Sequence, residues 1–251
     1  MPSITILAYH NIVERGQESP NDLHSIAVDR LEEQVRALQD AGFEPMALPD
    51  AFDSLVHSRE HAPGYAVTFD DGYVSLLRYA ERISSLAPPT VFVLTGYTGA
   101  STASWNTRSS VVLDHLDLSD LLTLRERGFD IQLHGLDHHN LLKFDEEQLR
   151  RKFEQANGWF EDHLGQPPVF LAYPYGYCDQ RVQGVAARFY RGAFSMTHGA
   201  WAGREARYAL NRVGVPWFLS GRDLVEVLRS QPKRRWYEIE RRAPWRAPKH
   251  G

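Results

Sequence analysis

The feature that most constrains the fold is a regular alternation of short apolar, β-branched runs with segments of helical periodicity. The runs that predict strands cover residues 4–9, 44–48, 65–69, 90–94, 129–133, 169–172, 193–196 and 209–213. Helical patterns cover residues 30–41, 74–85, 119–127, 145–164, 180–189 and 221–229. This alternation is typical of βα units around a parallel sheet. Seven or eight such strands in one chain predict an α/β barrel.

The first helical segment, residues 30–41, has sequence signals at both ends. Asp29 and Glu32 are expected to form a capping pair at its start. Gly42 is expected to end it, because glycine readily adopts the left-handed conformation that follows many helices.

The chain of 251 residues is long enough to bury a core without covalent crosslinks. Its one cysteine, Cys178, excludes an intrachain disulfide and a metal cluster held by several thiolates. The longest apolar runs are four or five residues, whereas a membrane span needs about 20. The first residues show neither the basic region nor the cleavage site of a signal peptide, so we expect a cytoplasmic protein.

The net charge of −4 is unevenly distributed along the chain. Residues 233–251 hold seven basic and two acidic side chains, which leaves a net charge of −9 for residues 1–232. We therefore expect a barrel domain over 1–232 and a basic, Pro- and Arg-rich tail over 233–251. We expect the tail to be a solvated extension or a strap across the domain, and weak contact with anionic membrane lipid or nucleic acid is the alternative. The acidic body argues against a nucleic acid partner, and the sequence indicates no oligomeric state.

Polar residues follow several of the predicted strands, and a barrel brings such strand ends to one rim. His10 follows the first strand, and the pair Asp70-Asp71 follows the strand at 65–69. Successive side chains of a strand point in opposite directions, so one carboxylate can bind a metal while the other faces a water molecule. An Asp-Asp-Gly turn without catalytic function is the alternative.

His134 and His138 are four residues apart. If the chain turns helically after the strand, both imidazoles lie on one face, as two ligands of one ion must. His139 replaces His138 as the ligand if the segment is extended. With Asp71 the set becomes two histidines and one carboxylate, which leaves coordination positions for water and substrate. Two histidines that only serve packing or the surface are the alternative.

Four segments together resemble the polysaccharide deacetylases with a NodB homology domain, carbohydrate esterase family 4. TFDDG at 68–72 is similar to the first motif of that family, HGLDHHNL at 134–141 to the second and YPYG at 173–176 to the third. LAYHN at 7–11 is similar to a subgroup whose first strand supplies a histidine to the site. The resemblance runs from about residue 4 to residue 217 and implies a distorted (β/α)7 barrel.

The resemblance also implies residue roles. Asp71, His134 and His138 would hold a divalent metal ion, with zinc favoured and nickel, cobalt or iron as alternatives. Asp70 would be the general base. The backbone N–H of Tyr175 would stabilise the oxyanion, since Pro174 before it has no N–H to donate.

The sequence departs from the family pattern at three places. The arginine that often precedes the Pro-Tyr-Gly core is missing, and Arg212 is a candidate to replace it beside Asp70. The late Leu-x-His motif is absent, so His10 becomes the candidate general acid, as the pKa of histidine suits that task. Gly135 stands where the histidine motif usually has serine or threonine.

These observations predict a metal-dependent hydrolase that removes an N-acyl group, favoured as acetyl, from an amino-sugar-containing or glycan substrate. A hydrolase of a non-sugar amide or formamide is the first alternative, and a non-catalytic glycan- or metal-binding module is the second. Aromatic residues in expected rim loops would stack on sugar rings or pack against the core. They are Tyr97, Trp105, Tyr177 and Trp201.

Overall fold

The fold is a parallel β-barrel surrounded by helices. The computed structural model describes residues 4–18, 24–57, 62–102, 112–196 and 207–229. The strands are β1 (Ile4–Tyr9), β2 (Asn11–Val13), β3 (Ser25–Ala27), β4 (Glu44–Pro45), β5 (Gly64–Phe69), β6 (Pro89–Leu94), β7 (Asp130–Gly135), β8 (Phe170–Ala172), β9 (Gly192–Ser195), β10 (Leu210–Asn211) and β11 (Val213–Gly214). The helices are α1 (Val28–Asp40), α2 (Leu48–His57), α3 (Ser75–Ser84), α4 (Leu118–Glu126), α5 (Glu146–Leu164), α6 (Gln180–Ala186) and α7 (Gly221–Arg229).

The main sheet is parallel throughout and follows the order β10-β9-β8-β7-β6-β5-β1-β11, with β4 paired to β5. Its two end strands are consecutive in the chain and are separated only by Arg212. Leu210 pairs with Phe194 of β9, and Val213 pairs with Leu7 of β1. The sheet therefore returns on itself as a nearly closed barrel, as predicted.

Buried apolar side chains form two separate clusters, one on each face of the main sheet. One cluster lies between the sheet and the outer helices and includes Leu7 and Tyr9. The other contains the alternate side chains, such as Ile4 and Ile6, together with the buried face of α2. Because strand side chains alternate between faces, this second cluster is the barrel interior. Helix α2 thus covers one end of the barrel and leaves the carboxyl ends of the strands for the site.

The sequence missed α2 and predicted a strand at 44–48 instead. Only Glu44–Pro45 forms a strand, and the helix begins at Leu48. Pro49 suits the first turn of a helix, where its missing N–H has no partner to lose. Leu48, Phe52 and Val56 recur at helical spacing and are buried, so a helical pattern was present, but Leu48 had been assigned to the preceding strand.

Two smaller expectations were also wrong. Helix α1 begins at Val28, and its N-cap residue Ala27 makes no side-chain capping bond. Asp29 and Glu32 instead accept hydrogen bonds of 2.7 Å each from Arg82 of α3. The strand predicted at 209–213 is divided into β10 and β11 at Arg212, whose side chain is fully buried.

The tail at 233–251, Trp105 and Trp201 lie outside the described residues. Within the described ranges, no helix combines the length and the apolar character that crossing a bilayer requires.

Candidate active site

The predicted site residues on β1 and β5 are neighbours at the rim. Tyr9 pairs with Phe69 in register, so His10 and Asp70 each follow directly after the last pair of β1 and β5. The backbone N–H of Asp70 donates to the carbonyl of Tyr9 at 2.9 Å, which continues the ladder by one bond. Asp70 as a residue is 2% exposed, so its carboxylate sits in a nearly dry environment.

Asp71, His134 and His138 form one cluster whose ligand-type atoms all lie within 4.8 Å of one another. Oδ1 of Asp71 is 3.4 Å from Nε2 of His134 and 3.5 Å from Nε2 of His138. The cluster thus brings together the three residues that the sequence singled out as a ligand set.

The donor atoms of this cluster suit a divalent metal ion. Nδ1–H of His134 donates to the carbonyl of Ala172 at 2.9 Å, which leaves Nε2 with its lone pair towards Asp71. The hydroxyl of Tyr73 donates to Oδ2 of Asp71 at 2.8 Å. Oδ1 of Asp71 is buried and has no hydrogen-bond partner among the described residues. A buried carboxylate oxygen facing two imidazole nitrogens is costly unless a cation lies between them.

The electrostatics keep the cluster in the form that binds metal. Burial lowers the pKa of His138 to about 4, against a smaller opposing effect of Asp71, so the imidazole is neutral near pH 7. Burial raises the pKa of Asp71, but His138, His134 and His10 outweigh it and bring the pKa below its ordinary value. Neutral imidazoles and an ionised carboxylate are the states that ligate a metal ion.

The backbone of Asp71 is held in an uncommon conformation. Its φ is 68°, in the left-handed region that few residues with a side chain adopt. Nδ1–H of His115 donates to the Asp71 carbonyl at 2.8 Å, and the His115 side chain is buried against Tyr73 and Tyr97. No sequence signal points to His115, because it stands in a loop with no motif around it and 44 residues from its partner.

His138 reaches the cluster through a bend and not through a helix. His134 is the fifth residue of β7, and Gly135 ends that strand with φ 129°. A Cβ at Gly135 would lie 3.3 Å from the carbonyl oxygen of Asp137, so serine or threonine would be strained there. The segment therefore makes no helical turn after the strand, and the two imidazoles meet without one.

Asp137 holds this bend from outside the cluster. Its Oδ2 accepts a hydrogen bond of 2.6 Å from Nζ of Lys152 on α5, and its Oδ1 is 3.0 Å from Nδ1 of His139. His139 is thus paired with Asp137 and lies outside the Asp71 cluster.

Arg212 forms a bidentate salt bridge with Asp70, at the place where the sheet closes. Its two terminal nitrogens donate to Oδ1 and Oδ2 of Asp70, each at 2.6 Å, and one of them also donates to the Thr68 hydroxyl at 3.1 Å. Burial raises the pKa of Asp70, but Arg212 and then His134 outweigh it and hold that pKa well below its ordinary value. Arg212 therefore lies beside Asp70, the position proposed for it because the arginine before the Pro-Tyr-Gly core is missing.

His10 contacts the exposed His24, with ring centroids 4.4 Å apart. Burial, followed by the repulsion from His24, lowers the pKa of His10 to about 4, whereas Asp71 and Asp70 act in the opposite direction. His10 is therefore a neutral imidazole at neutral pH, in the electrostatic neighbourhood of both carboxylates.

Tyr175 lies at the edge of the cluster in a 3-10 turn (Pro174–Gly176) after β8. Its φ is 60°, and its ring centroid is 4.3 Å from that of His138. Cys178, three residues further on, is half-buried, and burial raises the pKa of its thiol, as expected of a packed cysteine.

The sequence is similar to one family of known proteins. The sequence model of the family described as polysaccharide deacetylase matches residues 57–190. A curated relative is YxkH of Bacillus subtilis (strain 168), whose name describes it as a polysaccharide deacetylase. The two sequences are 25% identical over 222 residues, which cover 87% of this chain and 73% of YxkH.

Two solved structures have the same overall fold. The Streptococcus pyogenes deacetylase PplD in complex with acetate superposes with a TM-score of 0.73 at 22% identity, over 90% of this chain and 98% of PplD. IcaB from Ammonifex degensii superposes with a TM-score of 0.74 at 18% identity, over 90% of this chain and 97% of IcaB. At these identities the likeness is one of fold.

Proposed function

The chain belongs to the polysaccharide deacetylase family, and from this premise we propose that it is a metal-dependent hydrolase that removes an N-acetyl group from an amino-sugar-containing glycan. The observation that carries the proposal is the cluster of Asp71, His134 and His138 directly beside the Asp70–Arg212 pair. A candidate ligand set and an ionised carboxylate next to it are what hydrolysis of an amide by water requires.

Asp71, His134 and His138 would hold the metal ion, with zinc as the first candidate because imidazole and carboxylate ligands suit it. When bound, the ion supplies a Lewis acid and a lower pKa for water. Two observations support this ligand set. Oδ1 of Asp71 has no hydrogen-bond partner among the described residues, and the Nδ1 hydrogen bond of His134 to Ala172 leaves Nε2 of His134 facing Asp71.

Asp70 would act as the general base. It accepts a proton from the water that adds to the amide carbon, and Arg212 keeps both of its oxygens in place and its carboxylate ionised. The backbone N–H of Tyr175 would donate to the oxygen of the tetrahedral intermediate, where a preorganised donor stabilises the charge.

His10 would act as the general acid when the C–N bond breaks, since an amine leaves poorly without a proton. With a pKa of about 4, His10 carries no proton at neutral pH before the reaction. The attacking water, whose proton Asp70 accepts, supplies the proton that the leaving nitrogen needs, so the overall reaction balances.

The experiment compares two variants on two substrates. Asp70→Asn should lower turnover of both an N-acetylated sugar and an activated aryl acetate by about 10² to 10⁴, because water activation precedes either reaction. His10→Ala should lose activity on the amide and retain much of it on the aryl acetate, whose phenolate leaves without a proton. Equal losses on both substrates in the His10 variant would remove His10 from the acid role.

Metal content is measured on the same proteins by elemental analysis. Asp70→Asn and His10→Ala should keep the ion, whereas His134→Ala and His138→Ala should lose it while the barrel stays folded. A panel of N-acetylated sugars against small amides and formamides checks the substrate class, and turnover confined to the small amides contradicts the glycan proposal.

A further inference from the structure

A short antiparallel pairing supports the turn that follows β5. In this pairing Tyr73 lies opposite His115. Backbone hydrogen bonds of 2.8 and 2.9 Å join residues 72–74 to residues 114–116 on either side of these two residues. Residues 99–102 bind the opposite edge of the His115 segment through further backbone hydrogen bonds of 2.8 to 3.0 Å. Because the His115 segment is paired along both edges, its main chain fixes the position from which the side chain extends.

Tyr73 and His115 donate to two different groups of Asp71. The hydroxyl of Tyr73 donates to Oδ2 at 2.8 Å, and Nδ1–H of His115 donates to the backbone carbonyl at 2.8 Å. The two rings pack with centroids 5.1 Å apart, and the residues are 5% and 4% exposed. Water therefore has little access to either hydrogen bond, and the two side chains act on Asp71 as one packed unit.

Asp71 depends on this support because its backbone is strained. Asp71 and Gly72 both have left-handed φ values, of 68° and 70°. Glycine adopts this conformation at little cost, whereas aspartate has more favourable alternatives. The hydrogen bond from His115 fixes the direction of the Asp71 carbonyl, and with it the backbone from which the carboxylate extends.

The Tyr73 hydroxyl gives the two carboxylate oxygens of Asp71 different roles. Oδ2 accepts the hydrogen bond from Tyr73, whereas Oδ1 lies 3.4 Å and 3.5 Å from Nε2 of His134 and His138. A carboxylate takes one coordination position on a metal ion when it binds through one oxygen and two when it binds through both. A catalytic zinc ion with three protein ligands needs its remaining position for water and substrate.

We propose that Tyr73 and His115 are positioning residues that keep Asp71 a one-oxygen ligand of the metal ion. Tyr73 holds Oδ2 back, and His115 keeps the backbone in the conformation that directs Oδ1 at the two imidazoles. This inference rests on the ligand set of the proposed function. It adds two residues that act on the metal ion only through Asp71.

The first test compares Tyr73→Phe with the wild type in zinc-loaded crystals of the full chain. The variant should keep zinc and bind it through both oxygens of Asp71, where the wild type uses one. Its turnover of the aryl acetate should fall about tenfold, because the position for water is taken. Tyr190→Phe is the matched control, since it removes a buried hydroxyl that donates to Asn157 outside the cluster. It should match the wild type in both measurements.

The second test measures the zinc dissociation constant by competition with a chromophoric chelator. His115→Leu removes the donor and should raise this constant about tenfold. His115→Asn places an amide nitrogen as many bonds from the backbone as Nδ1 is, so it should restore much of the affinity. A role in packing alone predicts no such rescue, because asparagine lacks the ring that packs against Tyr73.

Asp71 bound to zinc through one oxygen in Tyr73→Phe would overturn the role of Tyr73. Equal zinc affinities in the wild type and His115→Leu, or in His115→Leu and His115→Asn, would overturn that of His115. A wild type that binds zinc and deacetylates no N-acetylated sugar contradicts the proposed function alone, because coordination and affinity are measured without turnover. A wild type that binds no zinc overturns both.

Discussion

At the scale of single residues, Asp70 illustrates how a buried carboxylate is kept charged. Burial by itself would favour its neutral form, yet the guanidinium of Arg212 binds both of its oxygens. A bidentate arginine–carboxylate pair fixes the orientation of the carboxylate as well as its charge. A lysine ammonium supplies the charge but cannot fix that orientation. Arg212 is a positioning residue in this arrangement, because it acts on the reaction through Asp70.

Removing Arg212 should move the acidic limb of the kcat/KM profile to higher pH. The nearby cation favours the carboxylate, so without it the pKa of Asp70 rises and the base is protonated at a higher pH. We expect Arg212→Met to shift the limb upward by about one to three pH units, and Arg212→Lys to shift it less because the charge remains. The measurement is the pH profile of activity on the N-acetylated sugar.

The same substitution also carries a stability cost that has to be separated from the pH effect. Leaving a buried charge without its partner costs about 3–5 kcal/mol, so the folded fraction is measured by circular dichroism at each pH. A profile that is lower at every pH with an unmoved limb would make Arg212 a purely structural residue.

At the scale of elements, the bend after β7 is the piece that completes the ligand cluster. It is fixed on the inside by Gly135 and on the outside by the Asp137–Lys152 pair, which connects the bend to α5. Both partners are mostly buried, at 21% and 18% exposed, so their interaction is less screened than that of a surface pair. His138 can approach Asp71 only while this bend keeps its shape.

Lys152→Met should therefore weaken metal binding without removing a ligand. The methionine keeps the apolar stem of the side chain and loses the ammonium group that binds Asp137. We expect a roughly tenfold higher dissociation constant for zinc, at the lower end of the effects of residues that orient metal ligands. Competition with a chromophoric chelator measures this constant.

Lys143→Met is the matched control, because Lys143 is exposed and follows the same bend in the chain. Its zinc affinity should equal that of the wild type. Equal affinities in both variants would mean that the bend keeps its shape without the α5 pair.

At the scale of the whole molecule, the two ends of the barrel have separate tasks. Helix α2 fills the amino-terminal end of the barrel. There the ring centroid of Phe52 lies 5.0 Å from that of Phe170 and 6.5 Å from that of Phe194. Gly192 allows this, since a Cβ there would lie 2.1 Å from the Phe52 ring. The carboxyl ends of the strands carry the candidate site, so stability and chemistry are separated along the barrel axis.

Phe52→Ala should therefore reduce stability and leave the chemistry of the folded molecules intact. The cavity from a lost core phenylalanine costs about 3–5 kcal/mol, a large part of the 5–15 kcal/mol of a typical domain. Urea unfolding measures the loss, with Leu142→Ala as an exposed control that should change little. Zinc affinity and kcat/KM per folded molecule should match the wild type, and a selective loss of either would show that α2 influences the site.

The sequence by itself determined what local pattern can encode. Periodicity predicted β1, the strands from β5 to β9 and every described helix except α2, whereas β2 and β3 were not predicted. The positions of Asp70, Asp71, His134 and His138 after predicted strands placed them at one rim. The roles of these residues, of His10 and of Tyr175 stay predictions, as do the tail at 233–251 and the cytoplasmic location.

Only the tertiary structure decided which of the distant candidates meet. The sequence offered Arg212 as a candidate partner of Asp70, and the two meet across 142 positions because β10 and β11 join β9 to β1 around Arg212. His115 reaches Asp71 from a loop, and α2 closes the barrel although its first residue, Leu48, was predicted as the last residue of a strand. Contacts of this kind depend on strand register, sheet closure and loop path, which arise from the packing of the whole chain and leave no spacing rule in the sequence.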